Sequence, residues 1–197
     1  MLPILAPGVG NPVVYHEKQE SACCGRHAIN NLLGGFYYHD PALAELAQTL
    51  FEEEKALLAS SAEGVEGSDF LQFTGGENPH VDNSGNFSVE VLRRALGSQG
   101  VQLSAEGALV RAALHNPEQH EAYLLNRSEH WFCLRRVGGN WLDLNSLKPL
   151  PEHISDFYMS AFLAQMQADQ YVRGGAGGAA AAAARAGTAG SAQVAQL

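Results

Sequence analysis

The sequence predicts an α+β fold that combines helices with antiparallel strands. The clearest β signal is HWFCLRRVGGNWLDLNSL, in which two apolar runs flank Gly138-Gly139, as is typical of a β-hairpin. Apolar residues recur at helical spacing after Cys24 and again after Asp40. From Tyr171 onward nearly all residues are Ala, Gly or small and polar, so the folded part should end near Val172.

The helices can be placed by their end signals. The first runs roughly from Cys24 to Leu33 and is ended by Gly34-Gly35, and the second opens at Asp40-Pro41 and continues into an acidic, solvated helix and loop. Three further helices are expected, and two short strands lie between them. The first of these helices starts at Ser88 and ends at Gly97 or Gly100, the second spans about 108–114, and the third runs from a Ser155 cap to about Ala168. The two strands are 101–105 and 122–126.

The hairpin sequence also predicts which residues share a face of the sheet. If Gly138-Gly139 is a two-residue loop, Val137 pairs with Asn140, and the same register places His130 opposite Leu147. Asn145 then lies on the same face as His130, at a diagonal distance that side chains can bridge. Trp131 and Cys133 are expected to point away from that face.

Composition and charge indicate one domain and exclude several functions. A chain of 197 residues with 46% hydrophobic residues suffices for one core, so we expect an N-terminal extension (1–13), one domain (14–172) and a flexible Ala/Gly-rich tail (173–197). With a net charge of -9 and 12 Lys plus Arg, no nucleic-acid partner is expected. The apolar start has no basic segment and is broken by prolines, so neither a signal peptide nor a membrane span is expected.

The cysteines are expected to be free thiols inside the cell. Their number is odd, and Cys23 and Cys24 are neighbours that can hardly bridge each other. The sequence has neither a CxxC motif nor an HxxxH pair, so no metal site is expected.

Thiol hydrolysis needs a nucleophile, a base, a group that orients the base, and donors for the oxyanion, and the sequence offers a candidate for each. A cysteine in the first turn of a helix should have a lowered pKa, which favours Cys23 or Cys24 as the nucleophile. His130 could act as the base, Asn145 could orient it, and Gln19 could bind the oxyanion. The same residues also suit plain structural roles: the cysteines, Cys133 above all, as small buried residues, His130 as a strand end, and Asn145 as a turn former.

Three segments together resemble the Josephin family, and within it the ataxin-3-like branch: HEKQESACCGRHAINNLLGG, SEHWFCLRRVGGNWLDLNSL and PEHISDFYMSAFLAQMQ. The resemblance covers approximately Val14 to Tyr171. It implies a papain-like fold in which a helical subdomain packs on an antiparallel sheet, with a helical-hairpin arm at about 50–67. It further implies that Cys24 is the nucleophile, His130 the general base, Asn145 its orienting partner and Gln19 the oxyanion residue.

The resemblance also implies a function. The implied activity is deubiquitination, which is the hydrolysis of isopeptide or peptide bonds after the C-terminal glycine of ubiquitin. No cofactor is implied. Ubiquitin and ubiquitinated proteins would be the partners of a monomer in the nucleus and cytoplasm, and Tyr37, Tyr38 and Val89 would contact ubiquitin. Tyr37 and Tyr38 suit core packing equally well.

Two other functions stay open, and one departure from the family is visible. The alternatives are a ubiquitin-binding module without efficient turnover and a papain-like peptidase of broad specificity. Josephin domains of this branch continue after the last helix into an apolar strand, whereas here Val172 is followed by GGAGG. The sheet is therefore expected to lack an edge strand.

Overall fold

A computed structural model of the chain describes residues 4–5, 13–20, 22–61, 76–82, 85–104, 114–172, 182–184 and 192–195. The helices in these ranges are α1 (Cys24–Leu33), α2 (Asp40–Ser61), α3 (Val89–Ser98) and α4 (Asp156–Val172), with a 3-10 turn at Pro117–Gln119. The strands are β1 (Ile4–Leu5), β2 (Val13–Val14), β3 (Val101–Ser104), β4 (Ala122–Arg127), β5 (His130–Val137), β6 (Asn140–Asp143), β7 (Glu152–Ile154), β8 (Ala182–Ala184) and β9 (Ala192–Ala195).

The helix ends agree with the signals in the sequence. α1 ends at Leu33 and is capped by Gly34, which has a positive φ of 79° and donates its N–H to the Asn30 carbonyl at 2.9 Å. Ser88 caps α3 by accepting a hydrogen bond from the backbone N–H of Val91. Ser155 caps α4 by accepting a hydrogen bond from the backbone N–H of Tyr158, and α4 continues beyond the predicted end at Ala168. The predicted starts of α1 to α4 are therefore confirmed.

The central sheet has five strands in the order β7-β6-β5-β4-β8, and each neighbouring pair is antiparallel. In the β5–β6 hairpin Val137 pairs with Asn140 and Leu134 with Asp143, which confirms the predicted register. β4 and β5 form a second hairpin through the two-residue turn Ser128-Glu129. The sequence analysis identified the β4 segment as a strand but did not predict this pairing.

Two apolar clusters lie on opposite faces of the sheet. One contains residues of α1, α2 and α3 together with Trp131 and Cys133, and the other joins α4 to Phe132 and Leu134. Cys24 belongs to the first cluster. The expectation that Trp131 and Cys133 point away from the catalytic side is therefore wrong in part. Along β5 their side chains do alternate with the side chain of His130, but Trp131 and Cys133 point to the face of the sheet on which α1 packs.

The ends of the chain contribute strands that the sequence analysis did not predict. β1 pairs with β2, β8 pairs with β4, and β9 pairs in parallel with β3. Residues 182–184 and 192–195 thus form short strands, and the sheet has a strand beside β4, whereas the flexibility of the tail stays a prediction. Main-chain hydrogen bonds need no particular side chain, so an alanine segment can occupy an open sheet edge despite its low strand propensity.

Two predicted features fall largely outside the described ranges. The helix expected at 108–114 lies there except for its last residue, and the arm expected at 50–67 is described through Ser61, where α2 carries the exposed side chains of Leu57 and Leu58. Within the described part of the chain, no helix is both long and apolar enough to cross a bilayer.

Candidate active site

Cys24 is the first residue of α1 and is 3% exposed. Cys23 precedes it in the left-handed conformation, with φ 70°, and the Cys23 carbonyl accepts the first helical hydrogen bond from the N–H of Arg26 at 3.1 Å. The backbone N–H groups of a helix's first turn have no partner within the helix. The thiol therefore lies beside the backbone N–H groups of Cys24 and Gly25 and at the positive end of the helix dipole.

The thiol contacts two other parts of the chain. Its sulfur accepts a hydrogen bond from the backbone N–H of Trp131 at 3.3 Å, and its own proton can go to the Glu129 carbonyl at 3.8 Å or to Asn86 Oδ1 at 3.7 Å. Among the described residues, the hydrogen bonds of the thiol do not include the His130 ring. The start of β5 and the segment around Asn86 thus enclose the sulfur.

Burial decides the acidity of this thiol. Loss of hydration raises the pKa of Cys24, and the charge of Asp82 acts in the same direction. The N–H groups of Trp131 and Gly25 lower the pKa but do not compensate. The lowering of the Cys24 pKa that the helix start predicts is therefore wrong. Burial also raises the pKa of Cys133, in keeping with its predicted packing role.

His130 and Asn145 are joined as the hairpin register predicted. His130 Nε2 lies 2.8 Å from Asn145 Oδ1, and the imidazole stacks on Phe132 with ring centroids 6.1 Å apart. Asn145 Oδ1 also accepts from the N–H of Leu147 at 3.0 Å, so the oxygen end of the amide faces His130. Nε2 is then the donor of this bond, and Nδ1 is left as the nitrogen that can accept a proton.

Asp143 fixes the backbone at Asn145. Its carboxylate accepts from the N–H of Asn145 at 2.9 Å and pairs with Lys148 at 2.8 Å. Asp143 is buried at the end of β6, so the turn that carries Asn145 is anchored in the sheet.

Gln19 is placed by Ser146, a residue that the sequence analysis missed. The Gln19 N–H donates to the Ser146 carbonyl at 2.8 Å, and the Ser146 hydroxyl donates to Gln19 Oε1 at 3.0 Å. Because the amide is planar, the donor Nε2 is turned away from Ser146. Ser146 is 1% exposed, and a hydroxyl residue next to Asn145 in the LNSL motif is the sequence signal that could have revealed it.

A buried polar cluster fixes the Gln19 segment to α1. Glu17 pairs with His27 Nδ1 at 2.6 Å and with Arg26 at 3.3 Å, and Asn30 donates to it at 3.0 Å. Burial alone would raise the pKa of Glu17, but the hydrogen bonds from His27 and Tyr15 and the charge of Arg26 lower it below its usual value. An ionised Glu17 thus holds the chain two residues before Gln19 against the helix of Cys24.

The predicted ubiquitin contacts have different environments. Tyr38 is 8% exposed, and its hydroxyl donates to the Ala95 carbonyl at 2.7 Å, so it is a core residue and cannot belong to a surface patch. Tyr37 is 54% exposed beside the exposed Phe36. Val89 is half-buried and packs against the core. The roles of Tyr37 and Val89 stay predictions.

The described residues contain no group of three or more His, Cys, Asp or Glu side chains that could hold a metal ion. The polar groups that contact Cys24 are instead the Asn86 amide, the Glu129 carbonyl and the Trp131 N–H, and His130, which pairs with Asn145, lies between Glu129 and Trp131 in the chain. A cysteine at a helix start beside a His–Asn pair on an antiparallel sheet resembles the site of papain-like cysteine proteases.

Comparisons with known proteins agree with this class. A model of the Josephin family matches residues 19–172. The chain is similar to Ataxin-3 of Homo sapiens and of Rattus norvegicus, each 38% identical over 162 residues, which are 80% of this chain and 44% of the relative. It is also similar to a Putative ataxin-3 homolog of Oryza sativa subsp. japonica, 37% identical over 156 residues, 77% of this chain and 46% of the relative.

The chain belongs to the Josephin family, a family of cysteine-protease deubiquitinases, and is ataxin-3-like. It spans a little under half the length of the relatives named above.

Proposed function

We propose that this protein is a deubiquitinating thiol protease that hydrolyses the isopeptide or peptide bond after the C-terminal glycine of ubiquitin. The observation that carries the proposal is the 2.8 Å contact between His130 Nε2 and Asn145 Oδ1, next to the backbone groups that contact the Cys24 thiol. Membership of the Josephin family supports ubiquitin as the substrate.

The proposed reaction begins with proton transfer from Cys24 to His130 Nδ1. The thiolate then attacks the carbonyl carbon of the ubiquitin C-terminal glycine. Gln19 Nε2 and the backbone N–H of Cys24 are the candidate donors for the oxyanion of the tetrahedral intermediate. His130 returns the proton to the leaving amine, which leaves ubiquitin as a thioester on Cys24. Water activated by His130 then hydrolyses the thioester.

Asn145 serves this reaction indirectly. By accepting a hydrogen bond from Nε2–H it keeps Nδ1 free as the base and stabilises the imidazolium that forms. No step requires a cofactor. We further propose that the protein is a monomer that acts in the nucleus and cytoplasm. Its partners would be ubiquitin and ubiquitinated proteins, and Tyr37 and Val89 would contact ubiquitin.

A ubiquitin probe with a C-terminal electrophile tests the proposal. We expect the wild-type protein and Cys23→Ala to form a covalent adduct and Cys24→Ala to form none. Because Cys23 is adjacent and also a thiol, it is the matched control for the nucleophile. Adduct formation that is lost in Cys23→Ala and kept in Cys24→Ala would contradict the assignment.

A ubiquitin-binding module without efficient turnover is the second candidate. It is favoured by the raised pKa of the buried Cys24 thiol, whose hydrogen bonds among the described residues do not include the His130 ring. Wild-type protein that binds ubiquitin and forms no adduct would support this candidate over the enzyme.

A further inference from the structure

The segment before α3 brings the side-chain amide of Asn86 to the Cys24 thiol. The Asp82 carboxylate accepts from the backbone N–H of Asn86 and from Asn86 Nδ2, both at 2.9 Å. A carboxylate only accepts hydrogen bonds, so the NH₂ end of the Asn86 amide must face Asp82. The amide oxygen is thereby turned to the other side, where it lies 3.7 Å from Cys24 Sγ.

Cys23 seats this segment beside the thiol. Gly85 has φ +77°, and a Cβ at this position would lie 2.8 Å from Cys23 Sγ, so the backbone of Gly85 rests directly on the Cys23 side chain. One residue after Asn86, the Phe87 carbonyl accepts from Trp131 Nε1 at 3.2 Å. Asn86 is therefore fixed on both sides, and Cys23 acts as packing for the residues that contact Cys24.

The contacts of the sulfur favour opposite protonation states. The N–H of Trp131 donates to the sulfur and so stabilises the thiolate, whereas Asn86 Oδ1 and the Glu129 carbonyl accept and so stabilise the neutral thiol. The Glu129 carbonyl is backbone in the turn before β5. Asn86 is thus the side chain whose replacement removes a thiol acceptor.

We propose that Asn86, oriented by Asp82, is a positioning residue that holds the Cys24 thiol in its neutral form, so that this contact must break before the proton passes to His130. The inference rests on the proposed role of Cys24 as the nucleophile. The other titratable groups next to the sulfur are Asp82, whose charge acts in the same direction, Cys23, and His130, which lies in the chain between the two backbone contacts at Glu129 and Trp131.

The test measures the rate at which iodoacetamide alkylates Cys24 across a pH series, with each cysteine followed separately by peptide mass. For Asn86→Ala we expect the apparent pKa of Cys24 to fall by about one unit and the rate at pH 7 to rise about tenfold. Asp82→Asn should shift the pKa in the same direction, because it removes a negative charge and releases the Asn86 amide. Asn140→Ala, at the start of β6 and at the opposite end of the hairpin from His130, is the matched control and should leave the profile unchanged.

An unchanged or higher Cys24 pKa in Asn86→Ala, at wild-type Tm, would overturn the inference. If Asn86→Ala lowers Tm substantially, the similarly sized Asn86→Leu, which removes the same acceptor without changing any charge, decides by the same reading. The alkylation uses no ubiquitin, so its outcome is separate from that of the proposed function: wild-type protein that fails to react with the ubiquitin probe overturns the activity and leaves the pKa comparison intact.

Discussion

Strand β5 is bounded by two turns of the same class that are built from different residues. At its far end Val137 pairs with Asn140 across Gly138 and Gly139, whose φ angles are 59° and 83°. At its start Arg127 pairs with His130 across Ser128 and Glu129, whose φ angles are 51° and 64°. Two-residue hairpin turns with both central φ angles positive match the twist of the strands, and glycine adopts them without strain.

The difference places backbone strain at the candidate active site. For a residue with a Cβ, the left-handed conformation is about 1–2 kcal/mol less favourable than the right-handed one, so Ser128-Glu129 is the less stable of the two turns. This turn presents the Glu129 carbonyl to the Cys24 thiol and starts β5 at His130. Strained backbone persists where the surrounding structure determines it, and such positions cluster at functional sites. We infer that the glycine turn sets the register of β5 and that the strained turn sets the position of its first residue.

Replacing His130 should have the largest effect, because it removes the base at the strained end of β5. His130→Gln should slow labelling by the ubiquitin probe at least ~1,000-fold, which is typical of losing one member of a catalytic triad. His153→Gln is the matched control, since His153 is an exposed histidine on β7 of the same sheet. Labelling rates that fall equally in both variants would contradict a catalytic role for His130.

Lengthening the relaxed turn should have the next largest effect, although it lies at the other end of the strand. A glycine inserted between Gly138 and Gly139 should shift the pairing of β5 with β6 and separate His130 from Asn145. We expect probe labelling to slow about 100-fold, since small misplacements of catalytic groups cost this much. The change in Tm should be small, because the apolar strands can still pair through a bulge.

The insertion needs a control that alters the turn and keeps its length. Gly139→Ala has this property, and it should label at nearly the wild-type rate. An insertion variant that also labels at the wild-type rate would show that the hairpin register does not position His130.

Removing the Ser146 hydroxyl should have a moderate effect. Ser146→Ala frees Gln19 Oε1, so the donor Nε2 is no longer oriented, and we expect labelling to slow about tenfold, less than the hundredfold typical of losing an oxyanion donor. Ser60→Ala, on the exposed end of α2, is the control. If Ser146 acts through Gln19, the double variant with Gln19→Ala should be no slower than Gln19→Ala alone. Fully additive effects would contradict this coupling.

Those parts of the fold that depend on local sequence could be predicted. The caps at Ser88 and Ser155 and the glycine after α1 are short-range signals, and each marks its helix end. The register of the β5–β6 hairpin follows from two glycines, and it was enough to place His130 near Asn145.

Features that depend on distant contacts could not be predicted. Ser128-Glu129 is not a hairpin signal, because its positive φ angles are imposed by the packing of β4 and β5. The pKa of Cys24 depends on how deeply the thiol is buried, and the strand at Ala182–Ala184 depends on an open edge of β4. Neither burial nor an open edge is visible in the residues themselves.

Adding a glycine to the Ser128-Glu129 turn and removing one from the Gly138-Gly139 turn should have the smallest effects on labelling. This exchange tests the difference in strain between the turns most directly. Glu129→Gly relieves strain, so the free energy of unfolding should rise by about 0.5–1 kcal/mol, the relief being partly offset by the greater entropy of glycine in the unfolded chain. Gly139→Ala should lower it by about 1 kcal/mol, and because a Cβ at Gly139 would meet nothing within 4 Å, this loss reports backbone strain, partly offset by the lower entropy of alanine in the unfolded chain, and no steric clash. Urea unfolding measures both. Glu129→Gly should also slow probe labelling about two- to threefold, since a freer backbone holds the carbonyl and His130 less firmly. Stability changes of the same sign in the two variants would show that the turns do not differ in strain.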